Sequence, residues 1–127
     1  MPVKFNATPK KDPRNLTAEP KYYATVKSDG RADTINIATS ISNMSTVSNG
    51  DTLAVLETFL TVVPEKLADN KIVELGDFGT FRITVSSEGA ATPEEVTSRS
   101  ITEVHVVFTP GKRFKQLLDT IEFQKDS

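Results

Sequence analysis

The stretch "PGKRFK" (residues 110–115) places basic side chains directly after a proline–glycine turn, where a helix is expected to begin. A helix N-terminus offers unpaired backbone N–H groups and the positive end of the helix dipole, and both favour a bound phosphate. The same dipole disfavours lysine there, so Lys112 and Lys115 are better explained if an anion binds nearby. The stretch therefore predicts a phosphate-contacting site; the alternative is that these are solvated surface lysines.

No set of side chains in the sequence predicts an enzyme. The chain has no cysteine, which excludes disulfides and thiolate metal ligands. Its one histidine, His105, lies in a predicted strand without a matched carboxylate cluster, and this makes a poor metal site. Neither a nucleophile–base pair nor a phosphate-binding P-loop is recognisable. We therefore expect no catalysis, no metal, no cofactor and no small-molecule substrate.

The charge of the chain is unevenly distributed. Its 127 residues carry a formal net charge of −2, whereas proteins that bind nucleic acid are usually basic. Residues 1–31 hold seven Lys/Arg against three Asp/Glu, and residues 32–127 hold eight against fourteen. The basic excess therefore lies in the N-terminal segment, which is either a phosphate-contacting region or a solvated edge. The sequence has no apolar run near 18 residues and no apolar signal region at its N-terminus, so we expect a cytoplasmic protein without a membrane partner.

The N-terminal segment is predicted to form two strands joined by a loop. The strands are expected at Val3–Thr8 and Lys21–Lys27, and the second is rich in aromatic and β-branched residues. The connection from Pro9 to Pro20 contains three prolines and shows no periodicity, so it is predicted to be a loop. Proline lacks an N–H donor, and this places the segment at the edge of a sheet.

Two amphipathic helices are predicted next, and they should form a helical hairpin. The first begins near Thr34, and its apolar residues fall on one stripe: Ile37, Ala38, Ile41 and Met44. Ser48, followed three residues later by Asp51, resembles a capping box and predicts the start of the second helix. Pro64 predicts a kink or an early end to that helix. The apolar face of the second helix comprises Leu53, Leu56, Phe59, Leu60, Val63 and Leu67.

Three strands and a final helix complete the pattern and predict an α+β fold. The strands are expected at Lys71–Leu75, Phe78–Val85 and Ile101–Phe108, with a turn at Gly76-Asp77. Residues 86–100, between the last two strands, are small and polar. The final helix is predicted over residues 112–123, because apolar residues recur on one of its faces.

Two motifs of this sequence resemble those of a known family. "LGDFGTF" (residues 75–81) is followed later by "FTPGKRFKQLL" (residues 108–118), and together they resemble the HU/IHF histone-like bacterial DNA-binding family. The resemblance covers roughly residues 33–121. It is greatest to the HU-related proteins of Bacteroides-type bacteria, which carry an additional N-terminal segment. It implies a basic N-terminal extension (residues 1–31) followed by an HU/IHF-like domain (residues 32–127).

The resemblance also implies the assembly: an intertwined homodimer with a helical base and a C-terminal helix, from which three-stranded antiparallel β-arms extend to wrap DNA. Phenylalanines would then project from the base of the sheet and require cover. A second subunit could supply it, and the alternative is that the chain's own helices do. Gly79 would let the backbone pass close to a neighbour. The expected dimer core comprises Phe59, Phe78, Gly79, Phe81 and Phe108.

The arm is where the sequence departs from the family pattern. Family arms end in Arg-Asn-Pro, whose proline wedges between base pairs. Here the tripeptide is Ala91-Thr92-Pro93, and two glutamates, Glu94 and Glu95, follow it directly. Pro93 is thus either a DNA wedge or only a turn residue. The candidate DNA-binding residues are Arg82, Pro93, Arg99, Lys112, Arg113 and Lys115.

Two hypotheses about function remain open. In the first, the chain is a non-enzymatic, homodimeric and largely sequence-tolerant binder of double-stranded DNA, a nucleoid-associated protein that contacts the backbone, bends DNA and condenses it. In the second, it is an HU-like dimer with weak DNA affinity that acts as a protein-interaction or structural module. The acidic arm favours the second hypothesis, whereas the basic extension and the lysines of the last helix favour the first.

Overall fold

The structure, a computed structural model, describes residues 2–15 and 17–126. Over these residues the chain is an α+β protein with three α-helices and two three-stranded sheets. The helices are Thr34–Asn43 (α1), Asn49–Ala68 (α2) and Lys112–Asp119 (α3). The strands are Val3–Lys10 (β1), Lys21–Lys27 (β2), Val73–Glu74 (β3), Gly79–Ser87 (β4), Ile101–Pro110 (β5) and Phe123–Lys125 (β6). The chain divides into two compact units: a terminal unit, which contains the described residues of 1–33 and 117–127, and a central unit, residues 34–116.

The terminal unit contains a sheet in the order β2-β1-β6. Strands β1 and β2 lie where the sequence predicts two strands; they pair antiparallel, and β6 joins β1 in parallel. The edge prediction holds for β2 but was wrong for β1, which is the central strand. Pro9 was expected in the loop but lies in β1, and its missing N–H is tolerated because β6 pairs only with Val3–Phe5.

The prediction of a helix through residue 123 was wrong, because α3 ends at Asp119. The Thr120 hydroxyl donates to the Leu117 carbonyl at 2.7 Å. After this tight turn the backbone pairs with β1, and Val3 N–H donates to the Glu122 carbonyl at 2.7 Å.

The helical hairpin of the central unit begins as the sequence predicts. Ser48 caps α2, because its side-chain oxygen accepts the Asp51 N–H at 3.2 Å. Of the two alternatives predicted at Pro64, a kink or an early end to the helix, the early end was wrong: α2 continues to Ala68, and Asp69 N–H then donates to the Glu65 carbonyl at 3.0 Å. Few side chains of this single chain are deeply buried. Among the described residues other than glycine, these are Ala38, Thr52 and Leu67.

The sheet of the central unit has the order β3-β4-β5 and is antiparallel throughout. Strand β3 is shorter than predicted, with only Val73 and Glu74 in the ladder. Strands β4 and β5 form a long hairpin, residues 79–110, which we call the arm. Its base is the pair Gly79–Pro110 and its last pair is Ser87–Ile101, just after an irregularity in register. Short 3-10 turns at Pro93–Glu95 and Ser98–Ser100 interrupt the loop between the two strands.

The two faces of the arm differ in chemistry. Directly paired residues of an antiparallel sheet share a face, and neighbours along a strand alternate between faces. One face carries apolar side chains: Phe81, Ile83, Val85, Val104, Val106 and Phe108. The other face is mainly polar: Arg82, Thr84, Ser86, Glu103, His105 and Val107. The apolar face ends at the base of the arm, beside the start of α3.

Candidate nucleic-acid interface

The first turn of α3 is fixed to the base of the arm by backbone hydrogen bonds. Gly111 N–H donates to the Phe78 carbonyl, and Arg113 N–H donates to the Asp77 carbonyl, both at 3.0 Å. The backbones approach so closely at Gly111 that a Cβ there would collide with the Asp77 carbonyl. Glycine is therefore required at this position. The turn after β3 and the start of α3 form one rigid corner.

This corner holds the predicted cations in place but uses part of the helix terminus. Lys112, Arg113 and Lys115 all lie in the first turn of α3 and are exposed to solvent. One of the backbone N–H groups of this first turn, that of Arg113, donates to the Asp77 carbonyl and is not available to a phosphate. Fewer backbone donors remain for an anion. An anion at this corner would therefore be held mainly by the side-chain charges, which long flexible side chains can direct outward.

A cluster of four phenylalanines lies beneath the corner. Phe108 is at its centre, with ring centroids 4.7 Å from Phe81, 5.4 Å from Phe114 and 5.7 Å from Phe78. Phe78 and Phe114 also meet edge to face at 4.8 Å. Three of the predicted dimer-core phenylalanines are thus brought together. Phe114 was missed as a member, although the sequence placed it on the apolar face of the last helix.

Gly79 allows this cluster to pack. Its φ of +151° lies in a region that side-chain-bearing residues rarely adopt. A Cβ there would lie 2.5 Å from Cε1 of Phe108 and 2.6 Å from the carbonyl oxygen of Thr109. The neighbour that approaches Gly79 so closely is β5 of the same arm.

Phe59, the remaining predicted core residue, lines a different surface. It belongs to an apolar groove between α1 and α2, together with Ile41, Val47, Thr52, Val55 and Leu56. The groove is open to solvent, with Val55 68% exposed and Phe59 41% exposed. Phe78 is also 42% exposed, although α3 covers part of it through Phe114. The chain's own helices therefore cover the phenylalanines only in part.

The predicted cations of the arm lie at different heights above the corner. Arg82 is on the polar face, three residues beyond the base pair of the arm, or about 10 Å along the strand. Arg99 lies in the second 3-10 turn and Pro93 begins the first. Both follow the last pair of the ladder, which is eight residues or about 27 Å from the base. The sequence-predicted DNA residues thus separate into a group at the base and a group at the tip.

The tip is acidic and the base is basic. Glu94 and Glu95 follow Pro93 within its own 3-10 turn and are exposed. Glu88 lies just beyond the ladder and donates its N–H to the Ser100 carbonyl at 2.8 Å. Lower down, Glu103 lies on the same face as Arg82. Repulsion between carboxylates and phosphates therefore increases from the base of the arm towards its tip.

His105 takes part in a small polar cluster that does not resemble a catalytic triad. Its Nε2 lies 2.9 Å from the Ser86 hydroxyl oxygen and 3.4 Å from a Glu103 carboxylate oxygen. Both contacts involve the same ring nitrogen, whereas in a triad the carboxylate orients the imidazole through the other nitrogen. The cluster is exposed on the polar face of the arm, so it provides no enclosed site for a reaction.

No helix within residues 2–15 and 17–126 is long and apolar enough to cross a membrane.

Together, the helical hairpin, the long antiparallel arm and the basic corner at the start of α3 define an HU-like α+β protein.

Comparison with known proteins identifies the family. Residues 1–125 match the family described as HU-HIG, "HU domain fused to wHTH, Ig, or Glycine-rich motif", and the chain belongs to this HU-related family. Among solved structures, it resembles that of a "Putative bacterial DNA binding protein" from Bacteroides vulgatus ATCC 8482, with a TM-score of 0.63 and 13% sequence identity. At this identity the likeness shows a shared fold. It covers 97% of this chain but 48% of the other, so the chain spans about half the length of that protein. No curated protein matches the sequence.

Proposed function

We propose that this protein is a non-enzymatic, largely sequence-tolerant binder of double-stranded DNA that acts as a homodimer and contacts the phosphate backbone. The HU-related family and the DNA-binding description of the Bacteroides vulgatus protein support DNA as the ligand. The acidic tip supports backbone contacts near the base of the arm rather than wedging by the tip. Bending of the duplex would then come from contacts on both subunits.

The observation that carries this proposal is the basic corner at the start of α3. Lys112, Arg113 and Lys115 are exposed, and two backbone hydrogen bonds hold their helical turn against the base of the arm. Cations in the first helical turn face an unfavourable dipole, which a bound phosphate would offset. Arg82 is a further cation about 10 Å along the arm, but it lies on the polar face, opposite the face on which Phe108 contacts Phe114 of α3.

The homodimer is supported by the apolar surface that a single chain leaves uncovered. In the central unit, the groove containing Phe59 and the half-exposed Phe78 present aromatic area to solvent. Soluble monomers rarely expose large contiguous apolar patches. A second copy related by two-fold symmetry would bury both surfaces and place one arm on each side of the assembly.

The test is a titration of duplex DNA of about 35 base pairs, roughly three helical turns, across a salt series. In the variant Lys112→Gln with Lys115→Gln, the negative slope of log K against log salt should become shallower by about two for each chain in contact, because two phosphate contacts are lost. The matched control is Lys66→Gln with Lys71→Gln, which removes the same charge elsewhere in the central unit. If the two variants bind equally, contact by the basic corner is refuted.

The tip is tested separately with the same titration. Pro93→Ala should change affinity little, whereas Glu94→Lys with Glu95→Lys should tighten binding because it removes repulsion from the phosphates. Loss of binding in Pro93→Ala would instead show that the tip wedges the duplex. Wild-type protein that binds DNA only weakly at low salt would favour the alternative, an HU-like structural or protein-interaction module.

The assembly is tested by light scattering at micromolar concentration, where we expect twice the mass of one chain. A stable monomer would refute the dimer.

A further inference from the structure

The sheet of the terminal unit has one face that is basic and free of carboxylates within its two longer strands. Lys4 and Lys10 lie six residues apart on β1, and Lys21 and Lys27 lie six residues apart on β2. An even spacing places each pair on one face of its strand. The antiparallel register then puts all four on the same face, because Lys4 is opposite Lys27 and Lys10 is opposite Lys21. We call this surface the lysine face.

The lysine face contains two directly opposed pairs of like charges. Opposite residues in an antiparallel ladder have Cβ atoms about 5 Å apart, and like charges there are destabilising. All four lysines are exposed. The positions between them are uncharged: Asn6, Thr8, Tyr23 and Thr25. Lysine opposite glutamate would stabilise the sheet more than lysine opposite lysine does. The observed pairs therefore fit the binding of an external polyanion better than they fit a purely structural role.

The acidic groups near the lysine face are unevenly placed. At one end, Asp126 forms a 2.5 Å ion pair with Lys27, and this contact lowers the pKa of Asp126 and raises that of Lys27. The charge of Lys27 is therefore already balanced. At the other end, Lys10 extends over the ring of Tyr23, 5.7 Å from its centroid.

The Lys10 end differs in how its charges are arranged. It borders a hollow lined by Lys10, Lys11 and Lys21 and by two acids, Asp12 and Glu19. The Asp12 carboxylate accepts the Arg14 N–H at 2.9 Å and so serves to shape the loop. Among the described residues, Lys10 and Lys21 form no ion pair, whereas Lys27 does, so the Lys10–Lys21 end is the part of the lysine face whose cations are not directly paired.

We infer that the lysine face is a second phosphate-backbone contact for duplex DNA, with Lys10 and Lys21 as its principal contacts. This inference rests on the proposed DNA-binding function and assigns the terminal unit a part in it. The two lysine pairs are separated by six residues, or about 20 Å along the strands. This equals about six base-pair steps at a rise of 3.4 Å, so one face could reach phosphates about half a helical turn apart.

The inference is tested on the full chain with duplex DNA of about 35 base pairs over a salt series of about 50 to 200 mM. Lys10→Gln with Lys21→Gln should lower affinity about ten-fold or more and reduce the salt slope by about two for each chain in contact. The control, Lys66→Gln with Lys71→Gln, removes the same charge from the central unit. Equal binding by these two variants would overturn the inference.

A second pair of variants leaves every lysine in place. Thr25 lies on the lysine face between the two lysine pairs and is exposed. Thr25→Lys should tighten DNA binding and Thr25→Glu should weaken it, because the first adds a positive charge to the lysine face and the second adds a negative one. If the two substitutions shift affinity in the same direction or not at all, the face does not contact the backbone.

The two sites are separated by comparison with Lys112→Gln/Lys115→Gln. If that variant binds DNA with the same affinity as the control while Lys10→Gln/Lys21→Gln binds more weakly, DNA contact by the basic corner of α3 is refuted and DNA contact by the lysine face is supported. The reverse result overturns the lysine face alone. Thermal unfolding without DNA should be unchanged or raised in Lys10→Gln/Lys21→Gln, because a repulsive pair has been removed; this shows that lost binding is not lost folding.

Discussion

Truncation of Phe108 tests whether the aromatic cluster is the structural core of the central unit. Phe108 contacts three other rings, at centroid distances of 4.7, 5.4 and 5.7 Å. Aromatic pairs contribute about 0.5–1.5 kcal/mol each beyond the area they bury, and Phe→Ala in a core costs about 3–5 kcal/mol. Because Phe108 keeps some exposure, we expect Phe108→Ala to lower the free energy of unfolding by about 3 kcal/mol per chain.

Two further variants provide a comparison for the loss of unfolding free energy expected in Phe108→Ala. Phe81 contacts only Phe108 among the four rings, so Phe81→Ala should cost about 2 kcal/mol. Val106 lies on the same face of β5 but is 63% exposed, and Val106→Ala should cost less than about 1 kcal/mol. The order expected is therefore Phe108, then Phe81, then Val106.

The assay is urea unfolding at one fixed protein concentration, because the stability of the proposed homodimer would depend on concentration. A cost for Phe108→Ala no greater than that of Val106→Ala would refute the reasoning. It would mean that the ring contacts, although close, replace equally good contacts with water and do not hold the base of the arm to α3.

Two other predictions concern backbone strain and pH. Gly79→Ala should cost about 3 kcal/mol or more, because a Cβ there meets Phe108 and Thr109, whereas Gly76→Ala, at φ +57° with open space around it, should cost about 1 kcal/mol; equal melting temperatures would contradict this. The Asp126 carboxylate has a pKa below its ordinary 3.8 because of Lys27, so its contribution should be present at neutral pH and disappear as the pH falls through that lowered pKa. The melting difference between wild type and Asp126→Asn should therefore vanish in acid and shrink with salt, and a difference that persists in acid would exclude the ion pair as its cause.

The sequence predicts those parts of the fold that local patterns specify. The start of α2 at Ser48 follows from a capping residue, and the arm follows from two β-branched runs on either side of a polar loop. The end of α3 could not be predicted in this way. Its last residues continue a helical apolar pattern, but β6 pairs with β1 from the other end of the chain, and such distant pairing has no local signal.

The candidate site shows the same division. The position of Lys112 and Lys115 in a first helical turn is readable from "PGKRFK", because proline and glycine precede it. The hydrogen bond from Arg113 N–H to Asp77 is not readable, since it joins two turns more than thirty residues apart. The lysine face is intermediate: the six-residue spacing within each strand predicts a shared face, but only the register brings Lys10 opposite Lys21.

The distribution of charge explains how a chain with a net charge of −2 could still bind a polyanion. Coulombic attraction between exposed groups is screened beyond about 8–10 Å at physiological salt, so the local surface matters more than the total. The first turn of α3 carries three cations and each end of the lysine face pairs two lysines, whereas three of the four carboxylates of the arm, Glu88, Glu94 and Glu95, lie beyond the last pair of its ladder, about 27 Å or more from the base. Within the central unit, the tip is thus separated from the basic corner of α3 by more than this screening distance. Its carboxylates would limit how far a duplex follows the arm without weakening the contacts nearer its base.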